Sequence, residues 1–123
     1  MNAKEQSLFE AINKKNAELV KALLNSGIEV DCEDDMGFTP LLISEDAEIT
    51  KLLIEAGANI NKQFIENGST PLHRAKTVEI AKMLIDAGAD MNIKNDFGMT
   101  PSRFNLYGDD KVMKYIRQRM NNN

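Results

Sequence analysis

Apolar residues recur at helical spacing in three similar stretches of the chain. Residues 51–61 read KLLIEAGANIN, residues 82–92 read KMLIDAGADMN, and residues 21–31 read the less regular KALLNSGIEVD. Their apolar positions fall on one side of a helix, which predicts three amphipathic helices with one buried face. Each stretch contains a glycine (Gly27, Gly57 or Gly88), and glycine there suits the left-handed turn that closes a helix.

Polar residues mark where these helices begin. Side-chain oxygens of Asn, Asp and Thr can accept hydrogen bonds from the exposed backbone N–H groups of a first helical turn. The predicted caps stand three residues before the first apolar position of four helices, at Asn16, Asp46, Thr77 and Asp109. The positions predicted to be core in the three repeated helices are Leu19, Val20, Leu23, Leu24, Ile49, Leu52, Leu53, Ile80, Ala81, Leu84 and Ile85.

A further helix is predicted near the N-terminus, around residues 3–13, with Leu8, Phe9 and Ile12 on its buried face. Both Asn2 and Ser7 precede a glutamate by three residues, which is the capping-box spacing. The pattern does not choose between these two starts.

A Thr-Pro pair precedes three of the four capped helices. Thr39, Thr70 and Thr100 are 31 and 30 positions apart, and each is followed by proline. Proline is tolerated at the first helical position, so each pair predicts the start of another short helix. A fixed period in this range is typical of stacked repeats of one supersecondary unit.

The run Thr-Pro-Leu-His-x-Ala at residues 70–75, followed by a helix that ends in Ala-Gly-Ala-Asp, resembles the ankyrin repeat. The resemblance covers roughly residues 5 to 117. It implies an all-α ankyrin-repeat solenoid of about four helix-turn-helix units joined by hairpin-like loops. The implied single domain, residues 1–123, comprises an N-terminal capping repeat (1–32), two repeats (33–62 and 63–93) and a C-terminal capping repeat (94–123). The implied structural positions are Thr39, Pro40, Gly57, Thr70, Pro71, His73, Gly88, Thr100 and Pro101.

Two repeats depart from the family pattern in length. From Thr39 to Gly57, and from Thr70 to Gly88, the separation is 18 positions, three fewer than the ankyrin pattern has. The missing residues fall between the helices of each repeat. We therefore expect first helices of only about one and a half turns, and a shallower binding cleft in the middle of the array.

Three loops, residues 30–38, 60–69 and 91–99, connect the repeats. We name them the first, second and third fingers, because the resemblance implies that they project as hairpins. Apolar residues near their turn glycines indicate an interaction surface. For Phe97, packing on a neighbouring loop and partner contact both stay open; for Phe64 and Ile65, beside a one-residue insertion, contact is the preferred interpretation. The implied partner-contact positions are Glu33, Asp35, Met36, Phe38, Gln63, Phe64, Ile65, Glu66, Ser69, Lys94, Asp96, Phe97 and Met99, with Arg74 and Arg103 as secondary candidates.

The acidic run at residues 31–35 invites comparison with a calcium-binding loop. An EF-hand loop beginning at Asp31 needs glycine and glutamate where this chain has Met36 and Leu42. The resemblance instead places Asp31 and Asp34 at turns, where a short acidic side chain can bond nearby backbone N–H groups. No metal site is predicted.

Catalytic residues are not recognised either. His73 is the only histidine, and no partner for proton transfer or metal binding is evident; the resemblance gives it a structural role in tying neighbouring repeats together. Cys32, the only cysteine, has no flanking basic residue to lower its pKa. We therefore expect no enzymatic activity and no cofactor.

Charge and hydropathy narrow the class of partner. Residues 1–62 carry 6 Lys and Arg against 12 Asp and Glu, whereas residues 63–123 carry 9 against 7. An acidic first half argues against nucleic acid as the partner and is compatible with a basic protein. No apolar run approaches a membrane span or a signal peptide, so we expect a cytoplasmic, soluble protein that is monomeric alone.

Two functional hypotheses follow. The first is a non-catalytic module that binds a protein partner through the loop tips and the concave face. The alternative is a small stoichiometric inhibitor or immunity protein, which neutralises a basic enzyme or toxin with its acidic N-terminal half.

Overall fold

The computed structural model of the protein describes residues 1–122, and within that range the chain forms helices, turns and loops without a strand. Its six α-helices are α1 (Ala3–Asn13), α2 (Ala17–Asn25), α3 (Pro40–Ile43), α4 (Ala47–Glu55), α5 (Val78–Asp86) and α6 (Asp110–Asn121). A single 3-10 turn lies at Leu72–Arg74. The all-α fold class predicted from the sequence is confirmed.

The backbone divides into two compact units, Met1–Asn59 and Ile60–Asn123. In the first unit α1 packs against α2 and α3, and both α2 and α3 pack against α4. The core of this unit is aliphatic and aromatic, since its buried side chains include Leu8, Phe9, Ile12, Val20, Leu42, Ile49 and Leu53. Burial of such side chains is the main stabilising contribution in a small helical unit.

In the second unit α5 packs against the 3-10 turn and against α6. The buried side chains here include Leu72, Ile80, Leu84, Val112 and Ile116. The exposed end of α6 is held by Arg119, whose Nη2 donates to Asp86 Oδ1 at 2.8 Å. Asp86 is the last residue of α5, so this contact joins the ends of the two helices.

The predicted caps of the longer helices are confirmed, whereas the short helix expected after Thr100-Pro101 does not form, and residues 101–103 make a turn instead. The caps accept from backbone N–H groups of the first turn in α2, α4, α5 and α6, at Asn16, Asp46, Thr77 and Asp109 respectively. At α1 the structure selects Asn2 over Ser7, with a complete capping box: Asn2 Oδ1 accepts from Glu5 N at 2.8 Å, and Glu5 Oε1 accepts from Asn2 N at 3.0 Å.

The shortened first helices are shorter than predicted. Helix α3 has four residues, about one turn, and its counterpart at Leu72–Arg74 is a 3-10 turn of three residues. Each is ended by a residue with extended backbone, Ser44 or Ala75. The cap of the next helix follows each within two residues, so the chain has no room for a second helical turn.

The prediction that Leu19 belongs to the core is wrong, because 42% of the surface of Leu19 is exposed. It stands three residues after its cap, as Ile49 does in α4, where that side chain is fully buried. The helices packed against α2 are α1 and α4, and they leave Leu19 open. Leu23, Leu24 and Leu52 are likewise only half-buried.

Candidate protein-interaction surface

The first finger is a hairpin closed by its own aspartate. Asp34 N donates to the carbonyl oxygen of Phe38 at 2.9 Å, and Asp34 Oδ1 accepts from the backbone N–H groups of Met36 and Phe38 at 2.9 and 3.0 Å. The predicted local role of Asp34 is confirmed. The bonded backbone presents Met36 at the tip with 65% of its surface exposed, and the nearby residues Glu33 and Asp35 are exposed as well.

The third finger repeats this design with an asparagine. Asn95 N donates to the carbonyl oxygen of Met99 at 2.8 Å, and Asn95 Oδ1 accepts from Phe97 N and Met99 N at 2.9 and 3.0 Å. Asn95 is buried, whereas Phe97 is 76% exposed and Met99 is also exposed. The ring of Phe97 therefore does not pack away on a neighbouring loop, and partner contact at this position stays a prediction. Asn95 was missed in the sequence, although its alignment with Asp34 could have revealed it.

The second finger corrects the placement of Phe64. Phe64 N donates to Ser69 O, and Gly68 N donates to Phe64 O, both at 2.7 Å. Phe64 therefore stands at the start of the hairpin, the place that an Asp or Asn occupies in the other two fingers. Its ring has no oxygen to cap the turn and is buried, with 3% exposed.

The expected partner contacts at Phe64 and Ser69 are consequently wrong for their side chains, because both are buried. Asn67 supplies the missing cap, since its Oδ1 accepts from Ser69 N at 3.0 Å. The inserted residue leaves Ile65 at the tip, where 82% of the side chain is exposed.

Hydrogen bonds join the second finger to the third. Asp96 N donates to Asn67 O at 2.9 Å, and Gln63 Nε2 donates to Gly68 O and Lys94 O at 3.0 and 3.3 Å. The approach is close enough that a Cβ on Gly68, whose φ is +74°, would meet Asp96 Oδ1 at 2.6 Å. Only glycine fits there, and the two fingers are held side by side.

We call Ile65, Phe97 and Met99 the finger-tip residues. All three are exposed apolar side chains on this joined pair of fingers. Exposed polar residues stand around them in the sequence, at Gln63, Glu66, Lys94 and Asp96.

Beneath the fingers, His73 is fully buried. Its Nδ1 accepts from Thr70 N at 3.0 Å, and its Nε2 lies 2.8 Å from the carbonyl oxygen of Met99. Burial lowers the pKa of His73 below its ordinary value. Both ring nitrogens are thus engaged, one with Thr70 and the other with the backbone of Met99 in the third finger, and neither is available for proton transfer to a ligand.

Side-chain oxygens also connect successive loops. Asp31 Oδ1 accepts from Asn59 N at 2.9 Å, and Asn61 Oδ1 accepts from Asp90 N at 2.8 Å. The local turn bond expected for Asp31 is therefore replaced by a bond to a residue 28 positions away.

The thiol of Cys32, possible metal ligands and possible membrane-spanning helices were the other features to consider. Burial, followed by the charge of Glu5, raises the pKa of the Cys32 thiol to about 11, so the thiol is protonated at neutral pH and a poor nucleophile. Within residues 1–122, no three His, Cys, Asp or Glu side chains lie close enough to hold a metal ion. In the same range no helix has both the length and the apolar character needed to cross a bilayer.

Paired helices joined by capped hairpin fingers define a helical repeat protein. The sequence family described as ankyrin repeats (3 copies) matches residues 6–101, and the chain belongs to this family. Ankyrin repeats are in general protein–protein interaction modules, and a short domain of them is itself non-catalytic.

Known relatives share only a segment with this chain. XBAT34 of Arabidopsis thaliana, a candidate E3 ubiquitin-protein ligase by name, is 35% identical over 78 residues, covering 59% of this chain and 21% of its own length. Human ankyrin repeat and SOCS box protein 16 is 38% identical over 72 residues, covering 56% and 16%. The tyrosine-protein kinase Shark of Drosophila melanogaster is 34% identical over 74 residues, covering 58% and 8%. The similarity is thus limited to a small part of each relative.

Proposed function

We propose that the chain binds a protein partner through its fingers, with the finger-tip residues as the central apolar contacts. The observation that carries the proposal is that Ile65 and Phe97 are 82% and 76% exposed, although both are large and apolar. Side chains of this kind on a hydrogen-bonded scaffold are typical of interaction sites. Because the hairpins are already ordered, binding costs them little further conformational entropy.

Polar side chains accompany the apolar ones on each finger. Glu33 and Asp35 are exposed beside Met36 in the first finger, and Glu66 and Lys94 are exposed in the other two. A polar rim around an apolar centre is the usual anatomy of a protein interface, in which the apolar anchors contribute most of the affinity.

Site-specific photocrosslinking tests the proposal. A photoreactive phenylalanine analogue replaces Phe97 in one variant and Lys114, an exposed residue of α6, in a control. In cells that express the protein, we expect one abundant crosslinked protein from position 97 that is absent from position 114. Equal products from both positions, or none from position 97, would refute the finger-tip surface.

The first unit supports a second candidate function, a stoichiometric inhibitor or immunity protein for a basic enzyme or toxin. Residues 1–62 carry twice as many acidic as basic side chains. Two of the acidic residues, Glu33 and Asp35, are exposed on the first finger. Charge of one sign steers an oppositely charged partner and accelerates association at low ionic strength. With the crosslinked partner purified, an association rate that does not change with salt would count against this candidate.

A further inference from the structure

A groove runs between α2 and α4 in the first unit, and no finger residue lines it. One cavity of about 330 Å³ is lined by Ala17, Glu18, Lys21, Glu48 and Leu52. A second, of about 210 Å³, is lined by Lys21, Leu24, Asn25, Leu52, Glu55 and Ala56. The cavities share Lys21 and Leu52, so they form one continuous depression along the two helices.

The groove combines an apolar floor with an acidic border. Half-buried Leu24 and Leu52 provide the floor, whereas the charged lining consists of three carboxylates and one amine, from Glu18, Glu48, Glu55 and Lys21. Both helices have nine residues, which corresponds to a groove of about 13 Å. That length accommodates two to three turns of another helix.

Helix stability explains part of this acidity but not all of it. Glu18 and Glu48 lie in the first turns of α2 and α4, where a negative charge complements the helix dipole. Glu55 is the last residue of α4, and a carboxylate at that end is unfavourable to the dipole. A positively charged ligand would account for the carboxylate of Glu55 at this place on the border of the groove.

We propose that the groove between α2 and α4 binds an amphipathic helix of a protein partner, one that carries leucine-type residues on one face and lysine or arginine beside them. The apolar face covers Leu24 and Leu52, and the basic side chains lie against the carboxylates of the border. Laying an amphipathic helix into an apolar groove is a recurrent mode of peptide recognition. Because the lining carries more negative than positive charge, it favours a basic helix. Repulsion between carboxylates disfavours an acidic one.

A designed peptide tests the proposal without knowledge of the natural partner. The probe is a fluorescein-labelled amphipathic peptide of roughly 14 residues, with leucine on one face and lysine on the other, and its matched control replaces every lysine with glutamate. Fluorescence anisotropy of the intact protein should show binding of the lysine peptide at least about tenfold tighter than binding of the glutamate peptide. Failure to bind the lysine peptide would overturn the proposal.

Two triple variants separate the groove from the net charge of the protein. E18Q/E48Q/E55Q neutralises the border, whereas E10Q/E66Q/E79Q neutralises three exposed carboxylates elsewhere. We expect the first to weaken binding of the lysine peptide about tenfold and the second to leave it within about twofold. Equal weakening by both would show that the attraction is general charge and would refute the groove.

The apolar floor has its own test. Leu52→Gln should abolish binding of the lysine peptide, and circular dichroism of the variant confirms that the fold is kept. Phe97→Ala, at the finger tips, should leave peptide binding unchanged. A loss on Phe97→Ala would place the peptide on the fingers and contradict the groove, while leaving the proposed function of the fingers intact.

Discussion

His73 joins Thr70 to Met99 through its two ring nitrogens. Thr70 N lies 3.0 Å from Nδ1, and the carbonyl oxygen of Met99 lies 2.8 Å from Nε2. Because a backbone N–H can only donate and a carbonyl can only accept, Nδ1 is the acceptor and Nε2 carries the proton. The buried ring is therefore neutral, and a second proton on Nδ1 would face the Thr70 N–H.

The first prediction is a loss of stability on mild acidification. Burial lowers the pKa of His73 below its ordinary value of 6.5, so the unfolded chain binds a proton at a higher pH than the folded one. The free energy of unfolding is thus fully retained above about pH 6.5 and declines as the pH falls through the folded pKa. Urea denaturation at a series of pH values measures this decline.

His73→Gln is the control for this titration, since the chain has no other histidine. The variant should be less stable than the wild type at neutral pH by about 1–3 kcal/mol and should lack the decline just below pH 6.5. An identical pH profile in both proteins would show that His73 is not the titrating group.

Adjacent residues of the second finger give the second prediction. Phe64→Ala removes a buried ring and should destabilise the protein by about 3–5 kcal/mol, whereas Ile65→Ala, at an exposed position, should change stability by less than about 0.5 kcal/mol. Thermal denaturation of the two single variants compares them directly. Equal melting temperatures would contradict the hairpin register described for this finger.

The second finger also shows where sequence reasoning reaches its limit. The insertion between residues 63 and 67 was recognised, but the sequence does not tell which residue begins the hairpin. That register follows from the bond of Phe64 N to Ser69 O, which places Phe64 inward and Ile65 outward. The resemblance placed Asp34 correctly because an aspartate can cap the turn itself, and phenylalanine offers no such signal.

Helix ends were the most predictable part of the fold. Cap residues such as Asp46 and Asp109 act through hydrogen bonds within a few residues of themselves, so local sequence is sufficient to find them. Leu19 was misplaced because its burial depends on which helices pack against α2, and periodicity carries no information on that. The division into repeats at 32/33, 62/63 and 93/94 stays a prediction.

Asn105 leads to the third prediction, and no sequence motif pointed to it. Its Nδ2 donates to the carbonyl oxygen of Ala75 at 2.8 Å, and its Oδ1 accepts from Tyr107 N at 2.9 Å. Because Asn105 is buried, Asn105→Ala removes both hydrogen bonds from a water-poor site and should cost about 1–3 kcal/mol. Asn92→Ala, at an exposed position, is the matched control and should be close to neutral in chemical denaturation. Wild-type stability of Asn105→Ala would refute the structural role.

The account depends most on the claim that the finger tips bind a protein. The direct measurement is the dissociation constant of the crosslinked partner, determined by isothermal titration calorimetry for the wild type, for I65A/F97A and for the control L19A, which truncates an exposed leucine outside the fingers. The double variant should bind at least about tenfold more weakly, by about 1.4 kcal/mol or more, at an unchanged melting temperature, and L19A should bind as the wild type does. Wild-type affinity in the double variant would contradict the account.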